Sequence, residues 1–410
     1  MRRYLQRHAR HTTHLPFPPG RAPDIIVVIP AYDEPDILRA VESLAACRRG
    51  GMYIEIIVVI NHPIDTPAQV KATNLATLDI LNQWATSNNS NDFKLFALPL
   101  FDLPTKDRGV GHARKTGMDE AIYRYEMVDH PSGIIAAFDA DATCAPDYLK
   151  AIREGFESHP NADALTIYFE HPLAGTDYPV EIYHAIYEYE LHLRYYVQGV
   201  RWAGHPQGWH TVGSSMAVRA SAYAAMGGMN RRQAGEDFYF LHKFSAVGRL
   251  YPLNSTAVYP SPRISDKVPF GTGRAIGDMM RTGKTMDTYH PEAFEVLKHW
   301  LEQAERYFDD PESVNVPASM ASFLEHTSFD KKCRKLRQNT ASRAVFTRRF
   351  FQVFDAFFIM KWLHFFRDNH MPNVPVRQAA ARLLQWQDIP VEQGSDLLKV
   401  YRALDKNRTK

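Results

Sequence analysis

Two aspartates, Asp139 and Asp141, carry the clearest chemical signal in this chain of 410 residues. They follow five apolar residues, Ile134 to Phe138, which predict a strand buried on both faces. In an open α/β sheet, ligands bind outside the carboxyl ends of the strands. Two carboxylates at that point suit Mg²⁺ or Mn²⁺, which commonly share their coordination with substrate phosphates. An Asp-x-Asp triplet arises about once by chance in a chain of this length, so a solvated strand end is the alternative.

The predicted elements around these aspartates alternate between strands and helices. A strand at 25–29, a helix at 36–47 and a strand at 54–60 form a βαβ unit, which implies a parallel sheet. The same alternation continues with strands at 93–98 and 164–169 and helices at 66–86, 112–127 and 146–156. We therefore expect residues 24–260 to form an α/β domain, with helices on both faces of a mostly parallel sheet.

Three further regions flank this domain. Residues 1–23 are rich in arginine, histidine and proline, and predict a flexible basic tail. Residues 261–289 predict a basic, glycine-rich loop, and residues 290–410 a helical C-terminal region. Within that region, residues 346–366 are dense in phenylalanine but too charged for a membrane span. They either pack on the α/β domain, which we favour, or lie on a membrane surface.

Composition excludes several classes of protein. The chain has 48 basic and 46 acidic residues, a balance that predicts no nucleic-acid partner. Its three cysteines are isolated in the sequence, which argues against a zinc site or a disulfide framework and suits a reducing cytosol. No run approaches the roughly 18 apolar residues of a membrane span, and the N-terminus lacks the apolar region of a secretory signal. We expect a cytoplasmic protein, either free or at the inner face of the membrane.

Five short motifs occur in a fixed order between the first strand and the second acidic pair. They are Pro30-Ala31-Tyr32-Asp33-Glu34, Gly111 to Gly117, Asp139-Ala140-Asp141, Gly227-Gly228 and Gly235-Glu236-Asp237. Together they resemble the glycosyltransferases of family 2, which have the GT-A fold. The resemblance implies transfer of a sugar, with inversion, from a UDP- or GDP-linked donor to an acceptor hydroxyl.

The resemblance also implies roles for the two acidic motifs. Asp139 and Asp141 would hold Mg²⁺ or Mn²⁺, which neutralises the leaving diphosphate. Asp237 would be the base that deprotonates the acceptor, and Glu236 would orient the acceptor. Adjacent carboxylates raise each other's pKa, which helps a base to work near neutral pH. The alternative for Gly235-Glu236-Asp237 is an ordinary helix start, where the helix dipole stabilises acids; the upstream aspartates favour the base.

The end of the first strand is where the family binds the nucleoside. Ala31 and Tyr32 are implied contacts, with Tyr32 stacking on the base, and Glu34 would accept a hydrogen bond from the base or ribose. A helix N-cap is the alternative role of this segment. Asn61 stands where the family usually has an aspartate, so the identity of the base stays open.

Four cations are implied or predicted to contact the donor phosphates. Arg114 would reach the phosphates or the base, although an exposed helix arginine is a close alternative. Arg263, Lys267 and Arg274 lie on the basic loop, which would close over the diphosphate and exclude water. A linker without a role in binding is the alternative for that loop.

Two other functions remain open at this point. A nucleotidyltransferase that makes nucleotide sugars is one, although residues 30–35 lack the glycine-rich basic loop that it needs. A non-catalytic protein that binds sugar or membrane on a degenerate scaffold is the other. The sequence does not identify the acceptor; a lipid-linked or saccharide acceptor, with peripheral membrane contact, fits the pattern.

Overall fold

The computed structural model describes residues 1–9, 13–15, 17–232, 235–267, 271–310, 314–392 and 394–408. The chain divides into two compact units. The first comprises Met1–Tyr178, Thr211–Gly277 and Asp405–Lys410, and the second Pro179–His210 and Asp278–Leu404. The sequence pattern had placed residues 24–260 in one domain, whereas the structure groups residues 179–210 with the C-terminal helices.

The first unit contains a sheet of eight strands. They are β1 (Ile25–Ala31), β2 (Ile54–Pro63), β3 (Phe93–Leu103), β4 (Ile134–Ala137), β5 (Thr143–Cys144), β6 (Ala164–Phe169), β7 (Met216–Arg219) and β8 (Leu250–Tyr259). Their order in the sheet is β3-β2-β1-β4-β7-β6-β8-β5. The pairs β3–β2, β2–β1, β1–β4 and β6–β8 are parallel, whereas β7 runs antiparallel to both β4 and β6. The expected α/β class with a mostly parallel sheet is confirmed.

The helices follow in chain order. They are α1 (Arg2–His8), α2 (Ile37–Ala45), α3 (Ala68–Asn88), α4 (Val110–Met127), α5 (Tyr148–Ser158), α6 (Val180–Trp202), α7 (Ala220–Ala225), α8 (Glu236–Ser245), α9 (Thr272–Thr282), α10 (Glu292–Glu302), α11 (Arg306–Asp309), α12 (Ala318–His326), α13 (Phe329–Gln338), α14 (Arg343–Val353), α15 (Ala356–Asn369), α16 (Val376–Trp386) and α17 (Leu397–Lys406), with a 3₁₀ turn at Thr105–Asp107. Part of the expected basic loop is therefore helical, because α9 begins at Thr272.

The centre of the sheet is buried on both faces. Every residue of β1 and β2 is buried, as their mainly apolar sequences predict, and β2 also buries the polar Glu55, Asn61 and His62. Helix α4 packs closely against this part of the sheet at Gly117, where an added Cβ would lie 2.4 Å from Val28 Cγ1 and 2.9 Å from Val59 Cγ2. The carboxyl ends of the central strands are thus held on a rigid support, and the acidic residues follow at those ends.

The expectation of a loose N-terminal tail is wrong for the residues of α1. Tyr4 and Leu5 of this helix are buried, and the Tyr4 hydroxyl donates to Asp119 Oδ1 at 2.6 Å. Thr13 also donates to Glu120 Oε1, at 2.5 Å. Two apolar side chains in a mostly basic segment were a weak signal, but they suffice here because polar groups of α4 bind the same segment.

The second unit is mostly helical, as expected for residues 290–410, and has a small sheet of β9 (Asp287–Thr288) and β10 (Val374–Pro375). Its core is aromatic: Phe350 and Phe354 of the expected phenylalanine-rich segment pack against Trp300 and Phe329. Phe350 and Phe354 are therefore buried in the core of the second unit itself, whereas the sequence favoured packing on the α/β domain. Among the described residues, no helix is long and apolar enough to cross a membrane.

Candidate active site

Arg114 joins the two acidic motifs that the sequence singled out. It lies in the second turn of α4, and its guanidinium donates to Asp139 Oδ1 at 2.5 Å and to Glu236 Oε1. Arg114 is 2% exposed and Glu236 3%, so this ion pair is buried. The strand that precedes Asp139 and the helix that begins at Glu236 are distant in sequence, and one cation fixes the distance between them.

The backbone at Gly213 allows Arg114 to take this position. A Cβ built at Gly213 would lie 2.7 Å from Arg114 Nη1 and 2.9 Å from Nη2. Because β7 runs antiparallel to β4, the residues before β7 lie at the same edge as the residues after β4. Any side chain at position 213 would therefore displace the guanidinium from the two acids.

Asp237 follows Glu236 in the first turn of α8. Gly235 precedes them with a φ of 70°, a conformation that glycine adopts without strain. Burial and, to a smaller extent, the neighbouring Glu236 carboxylate together raise the pKa of Asp237 to about 7, against the opposing effect of Arg114. The backbone N–H of Phe238 donates to Asp237 Oδ1 at 2.7 Å, which leaves a second carboxylate oxygen for a substrate.

A second cluster joins Asp141 to the end of β1. Arg263 Nε lies 2.8 Å from Asp141 Oδ2, and Arg263 Nη2 donates to Glu34 Oε1 at 2.5 Å. Lys267 donates to the same Glu34 oxygen at 2.7 Å and to the carbonyl of Asp33 at 2.6 Å. Burial, with smaller contributions from the Asp139 and Glu34 carboxylates, raises the pKa of Asp141 to about 6, even though Arg263 acts to lower it. Acids from two strand ends and cations from the segment after β8 therefore share one site.

Helix α3 fixes the segment that carries Glu34. Asn74 Oδ1 accepts the backbone N–H of Asp33 at 2.9 Å, and Thr77 donates to the carbonyl of Glu34 at 3.2 Å. Asp33 itself has a φ of 56°, which a short polar side chain tolerates. Asn74 also donates to His62 Nδ1 at 3.1 Å, and burial lowers the pKa of His62, so that the imidazole is neutral and accepts this bond.

The donor set suits a divalent ion that takes most of its ligands from the substrate. Within the described ranges, no three His, Cys, Asp or Glu side chains are grouped so that they could hold a metal ion by themselves. Asp139 and Asp141 nevertheless offer oxygen ligands, and both side chains are partly exposed. Mg²⁺ and Mn²⁺ sites built from one or two carboxylates and substrate phosphates have this composition. The residues therefore fit the implied metal.

The remaining predicted residues are placed as follows. Ala31 is the last residue of β1 and is buried, and Tyr32 beside it is partly exposed. Asn61 is buried and donates to the carbonyl of Gly109, the residue just before α4, at 3.5 Å. Arg274 donates to Asp266, an exposed residue of its own segment, at 3.0 Å.

The sequence did not reveal the roles of Asn74, His62 and Gly213. In α3 the apolar Leu75 is 51% exposed, whereas the buried positions include the polar Asn74 and Thr77. In the sequence, the only indication of these roles in α3 is the spacing of Asn74 and Thr77, three residues apart on one side of the helix. It is weak without knowledge of the backbone groups that the pair binds.

Residues 134–309 match the family Glycosyl transferase family group 2. The matched residues include Asp139, Asp141, Glu236, Asp237 and Arg263. Within these residues the chain is similar to the family 2 glycosyltransferases. The resemblance drawn from the motifs is thereby confirmed for residues 134–309. No curated protein matches the chain as a whole or in part.

Three solved structures are similar to this chain at low identity. S. aureus TarS is 17% identical, with 70% of this chain and 44% of that chain covered and a TM-score of 0.38. The TarS 1–349 structure in complex with UDP-GlcNAc is 14% identical, with 93% and 90% covered and a TM-score of 0.39. The mannosyltransferase PcManGT from Pyrobaculum calidifontis, in complex with GDP-Man and Mn²⁺, is 14% identical, with 99% and 92% covered and a TM-score of 0.35. This chain thus spans less than half of the S. aureus TarS chain.

Proposed function

We propose that this protein is a metal-dependent, inverting glycosyltransferase, which moves a sugar from a UDP- or GDP-linked donor to an acceptor hydroxyl. The observation that supports this most directly is the buried Arg114, which pairs with Asp139 and Glu236 at once. A single-displacement reaction needs a site for the leaving group and a base close together but on opposite sides of the sugar. An arginine that spans both motifs provides that fixed separation.

The donor diphosphate would bind where Arg263 and Lys267 now pair with acids. Both side chains are about one-quarter exposed and lie on the segment that follows β8, so they can turn from Asp141 and Glu34 to phosphate oxygens. Asp139 and Asp141 would hold Mg²⁺ or Mn²⁺, which supplies positive charge to the leaving diphosphate. Arginine and lysine add charge-assisted hydrogen bonds to the same group.

Asp237 is the proposed general base. Its raised pKa brings proton transfer from a hydroxyl close to neutral pH, where a base of matched pKa works best. Glu236 is buried against Arg114, and we therefore assign it a positioning role instead of direct contact with the acceptor. In this proposal the carboxylate of Asp237 takes part in the reaction, and that of Glu236 holds the start of α8 in place.

The nucleoside would lie at the ends of β1 and β2. Ala31 and Tyr32 supply an apolar and an aromatic surface there, and Asn74 and Thr77 fix the backbone that follows. Asn61 is bound to the start of α4, so we propose that it shapes the pocket and does not read the base. The acceptor we propose is a saccharide or a lipid-linked hydroxyl compound.

A panel of nucleotide sugars with Mg²⁺ or Mn²⁺ tests this function. Release of nucleoside diphosphate, followed by analysis of the anomeric configuration of the product, would establish transfer and inversion. Release of pyrophosphate from a nucleoside triphosphate and a sugar 1-phosphate would instead support a nucleotidyltransferase. Donor binding without turnover, with every acceptor class offered, would support the non-catalytic alternative.

The metal requirement has its own control in the same assay. Transfer should stop on chelation with EDTA and return when Mg²⁺ or Mn²⁺ is added in excess. Full activity in EDTA would contradict the metal-dependent form of the proposal and leave the cations Arg263 and Lys267 as the groups that neutralise the diphosphate.

A further inference from the structure

Two of the three cysteines, although isolated in the sequence, are in contact in the fold. Cys47 Sγ lies 3.6 Å from Cys144 Sγ, and the two residues are 97 positions apart in the chain. Both are free thiols, as is Cys333, which lies in the other unit. Cys47 is buried and Cys144 is partly exposed, so a small oxidant can reach the pair from the side of Cys144.

The backbone around the pair is held from both sides. Ser43 Oγ accepts the backbone N–H of Cys144 at 2.9 Å, and Arg48 donates its N–H to the carbonyl of Pro146 at 2.7 Å. Cys144 also lies in β5, opposite Val258 of β8. The end of α2 and the segment after Asp141 are therefore aligned whether or not their sulfurs are bonded.

The two sulfur atoms are in non-bonded contact. A disulfide requires a separation of about 2.05 Å, and each side chain here must move by less than about 1 Å to reach it. The hydrogen bond from Cys144 lowers the pKa of Cys47, which makes Cys47 the more readily ionised thiol. The thiolate is the reactive form of cysteine.

We propose that Cys47 and Cys144 are a redox-modification site that forms an intramolecular disulfide with hydrogen peroxide. In the first step the Cys47 thiolate attacks one peroxide oxygen; an S–O bond forms, the O–O bond breaks, and the departing hydroxide takes the proton of the Cys144 thiol to become water. In the second step the Cys144 thiolate attacks the Cys47 sulfur, the S–S bond forms, and the S–O bond breaks with loss of a second water after protonation by solvent. The two thiols lose two electrons and two protons, and the peroxide is reduced to two waters.

The bond would connect α2 to the segment next to the proposed metal ligands. Cys144 is three residues after Asp141, and β8, its partner strand, leads into the segment that carries Arg263. A disulfide at this place limits how far β5 can move relative to α2. A thiol reductant would reverse the bond, so that the cross-link follows the redox state of the surroundings.

Disulfide mapping on the folded chain tests this inference, and it needs no donor sugar, so its result is independent of the proposed function. Native protein is treated with hydrogen peroxide, its remaining thiols are alkylated after denaturation, and unreduced peptides are sequenced by mass spectrometry. We expect a peptide that joins Cys47 to Cys144, lighter than the two thiols by two hydrogen atoms, with Cys333 still alkylated. Dithiothreitol should restore all three alkylated thiols.

Matched variants separate this bond from other oxidation. Cys333→Ser should keep the cross-link, whereas Cys47→Ser and Cys144→Ser should each abolish it. Two results would overturn the inference: alkylation of all three thiols in oxidised protein that is still folded, or cross-links that disappear on dilution because they join separate molecules. Irreversible oxidation of Cys144 with Cys47 left as a thiol would overturn it as well.

Discussion

Arg263 Nε lies 2.8 Å from Asp141 Oδ2. The carboxylate that we propose as a metal ligand is therefore paired with an arginine of the same chain. Metal and arginine compete for this oxygen. In the absence of donor, Arg263→Gln should therefore bind Mn²⁺ more tightly, by up to about fivefold, which corresponds to about 1 kcal/mol for a partly exposed ion pair. Isothermal titration calorimetry measures the change. Arg274→Gln is the matched control, because Arg274 pairs with Asp266 and should leave Mn²⁺ affinity unchanged.

Asp141→Ala tests the same carboxylate from the other side. Removing this oxygen ligand should abolish the part of donor affinity that depends on Mg²⁺ or Mn²⁺, which is measured by titrating donor with and without metal. Asp266→Ala, at an exposed acid of the neighbouring segment, should retain that dependence. Equal metal dependence in Asp141→Ala and the wild type would remove Asp141 from the proposed site.

Substitution of the buried Arg114 should lower the stability of the fold. Arg114→Met leaves two acids without their cation, and the free energy of unfolding should fall by about 3–5 kcal/mol, the usual result of breaking a buried pair. Denaturant unfolding measures it. The exposed pair of Arg39 and Asp177, 3.0 Å apart, provides the control: Arg39→Met should cost less than about 1 kcal/mol. A loss as small as the control's would mean that Arg114 does not hold the two motifs together.

Asp237→Asn keeps the shape of the side chain and removes the proposed base. Transfer should slow by about 10²- to 10⁴-fold while donor affinity stays the same, because proton transfer is lost and the diphosphate site is intact. Single-turnover kinetics with titrated donor separate the two effects. Asp330, which also lies in the first turn of a helix, serves as control: Asp330→Asn should transfer at the wild-type rate. A wild-type transfer rate in Asp237→Asn would contradict the assignment of the base. Asp237 would then be explained better as an acid that the dipole of α8 stabilises at the start of the helix.

The pH profile gives an independent test of the base. The pKa of Asp237 is raised to about 7, so the carboxylate is mostly protonated below that pH and ionised above it. With metal saturating, kcat/KM should fall about tenfold for each pH unit below the pKa and level off above it. The residual activity of Asp237→Asn should lack this acid limb. A profile that is flat from pH 5 to pH 8 in the wild type would contradict the assignment.

Local sequence predicted the centre of the sheet well because β1 is a continuous apolar run and β2 is apolar from Ile56 to Ile60. The run from Ile25 and the run from Ile56 define β1 and β2, and the apolar residues before Asp139 define β4. The acids at the strand end were predicted for the same reason, since a buried strand that stops at two aspartates leaves them at the edge of the sheet. These inferences need only the pattern of apolar residues along each strand and the direction of parallel strands.

Contacts between distant segments could not be predicted in this way. Nothing near Arg114 indicates that it pairs with Glu236, 122 positions away, and the contact between the sulfurs of Cys47 and Cys144 is equally remote in the chain. The buried side of α3 includes the polar Asn74 because its side chain accepts the backbone N–H of Asp33, a partner that helical periodicity does not indicate. Tertiary hydrogen bonds decided the burial of these polar residues.

The antiparallel β7 has a consequence for the engineering of this enzyme. Because β7 is antiparallel to β4, the residues that precede Met216 lie beside the residues that follow Ala137. Substitutions in these two stretches are therefore equally constrained. Libraries meant to broaden donor choice should leave position 213 as glycine and vary Tyr32 and its surroundings. Randomising both stretches together would mix inactive, poorly folded clones with the informative ones.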